Sequence, residues 1–89
     1  MKEYLVYQYR VCQHTSQLWF PVAIVEAKNK QEATGLVYRY SEVPSENLLK
    51  AKRISQVPAR DILEVFIKSL KYPVSSKNKH PQIVASFDF

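Results

Sequence analysis

Glycine and cysteine are almost missing from this 89-residue sequence, which contains one of each, Gly35 and Cys12. Phosphate-binding loops of the dinucleotide and P-loop types need several glycines, so a single glycine excludes both patterns. One cysteine cannot form an intramolecular disulfide, whereas small secreted domains often carry several. We therefore expect no cofactor, and we expect the protein to reside in a reducing cytoplasm.

Long apolar runs are missing as well. No window approaches the roughly 18 uninterrupted apolar residues that a membrane span requires. The N-terminal sequence MKEYLVYQYR alternates polar and apolar residues and has no apolar core of the length that a signal peptide needs. The sequence thus predicts a soluble, cytoplasmic protein that does not engage a membrane.

Residues suited to metal binding or catalysis are few. Cys12, His14 and His80 are the only cysteine and histidines, whereas a structural zinc ion needs four ligands in paired spacing. Asp61 and Glu64 lie one helical turn apart among cations, which favours surface ion pairs over acid–base chemistry. We expect no metal site, no catalytic residues and no enzyme activity. One enzymatic alternative stays open, a small basic ribonuclease that works with arginine, lysine, tyrosine and histidine.

Apolar residues are plentiful, because 46% of the chain is hydrophobic and 12% is aromatic. This content suits one folded domain over residues 1–89 and is too high for a disordered chain. Apolar residues at period two predict strands, and apolar spacings of three and four predict helices. The predicted order is β-β-α-β-α-β, an α+β domain whose four-stranded, mainly antiparallel sheet is packed by two helices. The predicted strands cover residues 3–12, 18–27, 48–56 and 83–89.

The first helix is predicted to begin after Asn29, a favourable N-cap residue. Glu32 follows three residues later, as in a capping box. Glycine inside a helix costs about 1 kcal/mol relative to alanine, so Gly35 leads us to expect a close approach of the helix backbone to the sheet. The apolar stripe expected to face the sheet is Ala33, Leu36, Val37 and Tyr40.

The second helix is predicted to have Pro58 in its first turn and to end before Pro73. The residues expected on its buried face are Ile62, Leu63, Phe66, Ile67 and Leu70. The residues expected to face water are Arg60, Asp61, Glu64, Lys68 and Lys71.

Three further features of the predicted strands follow from residue type and position. Pro21 lacks a backbone donor and indicates a bulge or an edge stretch in the second strand. The basic residues within 48–56 are typical of an edge strand. In the last strand, the residues expected on one face are Ile83, Ala85, Phe87 and Phe89.

Net charge is distributed unevenly along the chain. Five basic residues balance five acidic residues in positions 1–49, whereas positions 50–79 carry eight basic residues against two acidic ones, a balance of +6. Cations on a common surface bind phosphates, and an aromatic side chain beside them can stack on an unpaired base. The competing interpretation is that the charge only keeps the protein soluble. The candidate binding residues are Lys50, Lys52, Arg53, Tyr72, Lys77, Lys79 and His80.

These patterns predict a small non-enzymatic binding protein that engages nucleic acid or a nucleoprotein complex through this basic surface. Small size, basicity and the lack of catalytic motifs fit phage or mobile-element accessory proteins as a class. The alternative is an inhibitor or adaptor that binds a host defence protein or another acidic protein surface. Such a protein would use the same cations, or Trp19 as an interface anchor. The competing interpretation of Trp19 is that a helix covers it.

Overall fold

The computed structural model describes residues 1–9, 19–40, 48–75 and 79–87. The strands are β1 (Lys2–Tyr9), β2 (Trp19–Ala27), β3 (Leu49–Arg53) and β4 (Ile83–Ser86), and the helices are α1 (Lys30–Tyr40) and α2 (Ala59–Lys71). A short 3-10 turn, Ile54–Gln56, joins β3 to the segment before α2. Cys12, His14, Lys77 and Phe89 lie outside the described residues, so the expectations attached to them are not addressed by the structure.

The four strands form one antiparallel sheet in the order β3-β1-β2-β4. The predicted α+β fold, its element order and the edge position of the third strand are confirmed. The expected irregularity near Pro21 is confirmed too, because the β1–β2 register shifts between Val6 and Tyr7, so that Val6 pairs with Ala23 and Tyr7 with Pro21. A bulge of this kind tolerates the missing proline donor.

The two helices cover opposite faces of the sheet. Alternate residues of a strand point to opposite sides, and β1 divides accordingly: Val6 belongs to the core under α1, and Leu5 to the core under α2. The first core is the larger and includes Val25, Val37 and Phe87. The second is smaller and centres on Ile24 and Val65. The central strands are therefore apolar on both faces, as the sequence of β2 predicts.

α1 begins as expected, because the Glu32 amide donates a 2.8 Å hydrogen bond to the Asn29 side-chain oxygen. The Glu32 carboxylate accepts a hydrogen bond from Gln82 Nε2 at 3.4 Å, which links the start of the helix to the turn before β4. The expectation for Gly35 is wrong. This residue is exposed, and a Cβ atom built on it would meet nothing within 4 Å.

The predicted buried face of α2 is largely wrong. Val65 is the buried residue of this helix and Ile62 is half-buried. The Asp61 side chain, expected in water, is only 16% exposed. α2 therefore packs on the sheet through a different face from the one with the most apolar residues. Four residues expected in the core are exposed instead: Leu63, Phe66, Ile67 and Leu70.

The expected single face of the last strand is also wrong. Ile83 and Phe87 pack into the core under α1, whereas Ala85 belongs to the core under α2. An irregularity in the β2–β4 register between Ile24 and Val25 breaks the alternation between Ile83 and Ala85. Phe87 follows the last residue of β4, so the strand's alternation does not extend to it.

Candidate functional site

Aromatic and cationic side chains meet on the α2 side of the sheet, where β1 ends and β2 and β3 begin. Strand pairing places Tyr9 opposite Trp19 and Tyr7 opposite Lys50. The Lys50 ammonium lies 4.2 Å from the centroid of the Trp19 ring and 5.9 Å from that of Tyr7. The Tyr9 and Trp19 rings meet edge to face, with centroids 5.2 Å apart. We call Tyr7, Tyr9, Trp19 and Lys50 the aromatic–lysine cluster.

The cluster explains how a lysine is held at a fixed position. A cation over an aromatic face is attracted by the ring electrons, by about 0.5–1 kcal/mol at exposed sites and more when desolvated. Partial burial lowers the pKa of Lys50, and the nearby charge of Lys52 lowers it further. An anion that approached this position would favour the charged ammonium and offset both effects.

Tyr7 connects the cluster to α2. Its hydroxyl donates a 2.7 Å hydrogen bond to the Asp61 carboxylate. Burial raises the pKa of the Tyr7 hydroxyl well above its usual range, and Asp61 and Glu64 raise it further. Arg60 lies beside the same carboxylate, with Nε 3.9 Å from Asp61 Oδ1, and its side chain is 88% exposed. The start of α2 thus adds an exposed guanidinium beside the cluster.

The basic residues of β3 divide between the two faces of the sheet. Lys50 and Lys52 pair with Tyr7 and Leu5, which face α2. Arg53 pairs with Tyr4, which belongs to the core under α1. The exposed Lys52 therefore extends the positive charge of the cluster, and Arg53 does not.

The second basic group predicted from the sequence lies at the other edge of the sheet. Lys79 is exposed and His80 half-buried, just before β4. The His80 ring packs on Tyr40 with centroids 4.3 Å apart, and its Nδ1 accepts a 3.2 Å hydrogen bond from the Gln82 amide. Since β1 and β2 separate the edge strands, roughly 14 Å of sheet lies between the two groups. Tyr72, at the end of α2, is 50% exposed.

The structure brings together two residues that belong to different hypotheses in the sequence analysis. Trp19 and Lys50 are 31 positions apart in the sequence, yet they are in contact. Tyr7, Tyr9 and Arg60 are absent from the predicted site. The period-two pattern already places Tyr7 and Tyr9 on one face of β1, but only the pairing of β1 with β2 and β3 shows which side chains stand beside them.

Among the described residues, no three histidine, cysteine, aspartate or glutamate side chains gather in a way that could hold a metal ion. Neither helix in this part of the chain is both long and apolar enough to cross a bilayer. No protein-family model, curated protein or solved structure matches the chain. Function is therefore inferred from the geometry of the described residues.

Proposed function

We propose that this protein is a non-enzymatic binding protein that engages single-stranded nucleic acid through the aromatic–lysine cluster. Lys52 on β3 and Arg60 at the start of α2 add positive charge beside it. The observation that carries the proposal is the position of the Lys50 ammonium over the Trp19 ring, with Tyr9 against the same ring. A charge for phosphate and aromatic surface for bases thus occur within one small area.

Single strands match this combination for a physical reason. Their bases are unpaired and stack on aromatic side chains, which contributes about 1–3 kcal/mol per base, while grooves of lysine and arginine follow the backbone. A duplex hides the faces of its bases and is usually recognised by a helix or β-ribbon in the major groove. The exposed face of α2 is apolar rather than basic, so this helix is poorly suited to that role.

The proposal can be tested by fluorescence anisotropy with labelled single-stranded DNA, single-stranded RNA and duplex DNA. Phosphate-led affinity falls as salt rises, with a slope of about 0.7 per phosphate contact for single strands. Contacts from Lys50, Lys52 and Arg60 would give a slope of about 2 on a log–log plot. We expect single strands to bind more tightly than the duplex. We also expect the variant Lys50→Glu/Lys52→Glu to lose at least tenfold in affinity.

A matched control is available at the far end of the same strands. Lys2 and Lys28 are exposed, and Lys2 lies roughly 24 Å along β1 from Tyr9. The variant Lys2→Glu/Lys28→Glu carries the same change in net charge, and we expect only a small loss of affinity. Equal losses in the two variants would mean that general charge, not the cluster, attracts the strand, and would contradict the proposal.

The remaining alternatives give different results in the same assay. If no single strand binds even at low salt, the proposal fails and an acidic protein surface becomes the better partner for these lysines. If the RNA oligonucleotide is recovered in shortened form, and the cleavage activity co-purifies with the protein, the ribonuclease alternative is supported instead.

A further inference from the structure

The outer face of α2 is apolar and exposed to solvent. Leu63, Phe66, Ile67 and Leu70 are 59%, 42%, 50% and 85% exposed. Their spacing of three and four residues places them on one side of the helix, over two turns. We call these four residues the α2 stripe.

The stripe is more apolar than the face that α2 turns to the sheet. That inner face includes Asp61, Ile62, Val65 and Lys68, of which Val65 is buried and Ile62 half-buried. The four stripe residues expose on the order of 400 Å² of apolar surface, a size that on small monomeric proteins often marks an interaction site. The most amphipathic helix of the chain therefore leaves its stronger apolar face uncovered within the described part of the chain.

A cleft of about 340 Å³ runs beside the C-terminal half of the stripe, between α2 and β4. Pro73, Val74 and Val84 contribute apolar surface to it, and Lys79 and His80 line it as well. Val84 is itself 46% exposed. Ser69, which precedes Leu70, is the α2 residue that lines the cleft, so the cleft adds this apolar surface at one side of the stripe.

The charges around this surface are mostly positive. Arg60 and Lys71 are exposed near the two ends of α2, and Lys79 is exposed beside the cleft. Glu64 is engaged by Lys68 in an ion pair of 3.0 Å. A second copy of this chain would bring like charges together. A stripe of this size is also only about half of the roughly 800 Å² per partner that a stable interface buries.

We propose that the α2 stripe and the adjoining cleft receive an amphipathic helix of a partner protein whose apolar face is flanked by acidic residues. Apolar side chains at spacings of three, four and seven residues would pack along the stripe, as in helix-in-groove recognition. Acidic residues beside them would face Arg60, Lys71 and Lys79, which provides the charge complementarity that a second copy lacks. Arg60 is the one residue that this surface shares with the proposed nucleic-acid site. The stripe and the cleft contain no residue of the aromatic–lysine cluster, so the proposal does not depend on nucleic-acid binding.

The test uses two synthetic helical peptides that share leucines at these spacings and differ only in their flanking residues, glutamate in one and lysine in the other. Fluorescence anisotropy of each labelled peptide is measured against the whole protein. We expect the glutamate peptide to bind at least tenfold more tightly than the lysine peptide. We expect Leu70→Ser to weaken it at least tenfold as well.

Leu48→Ser is the matched control, because Leu48 is 62% exposed, precedes β3 and belongs to neither the stripe nor the cleft. It should leave peptide affinity unchanged, and Lys50→Glu/Lys52→Glu, which only lowers the net charge, should cause no more than a small loss. Circular dichroism shows whether each variant is folded, and Leu63→Ser serves if Leu70→Ser is not. Equal binding of the two peptides, or no binding of either, would overturn the proposal. So would a concentration-dependent dimer that Leu70→Ser abolishes, or binding to anionic vesicles in preference to the glutamate peptide.

Discussion

Tyr7 is the residue at which the sheet, the aromatic–lysine cluster and α2 meet. Its ring packs in the core under α2, and its hydroxyl donates to the partly buried Asp61 carboxylate. A hydrogen bond to a charged group contributes about 1.5–3 kcal/mol when both partners are well placed. This one contact orients the beginning of α2 and with it Arg60.

Removing the Tyr7 hydroxyl should therefore destabilise the protein. For Tyr7→Phe we expect the free energy of unfolding at pH 7 to fall by about 1–2 kcal/mol, because Asp61 loses its donor while the ring still fills its space. Urea denaturation followed by circular dichroism measures the change. Tyr4→Phe is a suitable control for the loss of a tyrosine hydroxyl elsewhere in the core. A Tyr7→Phe variant as stable as the wild type would show that the hydrogen bond is not a stabilising contact.

The same hydroxyl makes the free energy of unfolding depend on pH, with the contribution of Tyr7 decreasing at high pH. Because the pKa of Tyr7 is raised in the folded protein, its contribution is fully present below the ordinary tyrosine pKa of about 10 and is lost as pH rises above that value. We expect the stability difference between wild type and Tyr7→Phe to shrink above about pH 10. Urea midpoints of both proteins, measured at intervals from about pH 8 to pH 11, test this. A difference that stays constant over that interval would contradict it.

α1 shows what local sequence signals can and cannot determine. The cap at Asn29 and the buried residues Ala33, Leu36 and Val37 follow directly from spacing and residue type. The role expected for Gly35 required knowledge of how close the helix lies to the sheet, which spacing does not contain. The structure leaves this residue exposed on the outer side of the helix.

The exposed position of Gly35 leads to a testable increase in stability. Alanine there would meet no neighbouring atom and would avoid the glycine penalty, so we expect Gly35→Ala to raise the free energy of unfolding by about 1 kcal/mol. Thermal and urea denaturation measure this change, and peptide and oligonucleotide binding should not change. A destabilised Gly35→Ala variant would mean that the helix backbone is closer to the sheet than described.

α2 shows that the spacing of apolar residues does not determine which face of a helix is buried. The pattern of Leu63, Phe66, Ile67 and Leu70 correctly predicts an amphipathic helix, but it cannot say what its apolar face contacts. In the fold, the Tyr7–Asp61 hydrogen bond and the packing of Val65 in the core turn a different face toward the sheet. The apolar residues that were wrongly expected in the core are the same residues that form the proposed partner surface.

At the scale of the whole molecule, the candidate site depends on contacts between distant parts of the chain. The sequence alone identifies Trp19 and Lys50 as candidate binding residues and shows the excess of cations after residue 49. Strand order then decides the outcome: Lys50 lies beside Trp19, and Lys79 lies at the opposite edge. Pairing of β1 with both β2 and β3 is a long-range property that residue types and periodicity do not determine.

The two proposals give the domain two binding surfaces that share only Arg60. The aromatic–lysine cluster lies on the sheet beside the start of α2, and the α2 stripe lies on the outer face of that helix. A protein with both would hold a single strand while binding an acidic helical partner. Since the residues substituted in each surface are exposed or partly exposed, one surface can be altered while binding at the other is measured.

Trp19 is the only tryptophan in the chain, so its fluorescence reports on the aromatic–lysine cluster directly. The decisive measurement is a titration of the protein with an unlabelled single strand of about ten nucleotides at low salt. We expect Trp19 emission to be quenched, with the same midpoint as the anisotropy signal and with little quenching in Lys50→Glu/Lys52→Glu. Binding by anisotropy with unchanged Trp19 emission would contradict the proposal, because the strand would then lie elsewhere on the molecule.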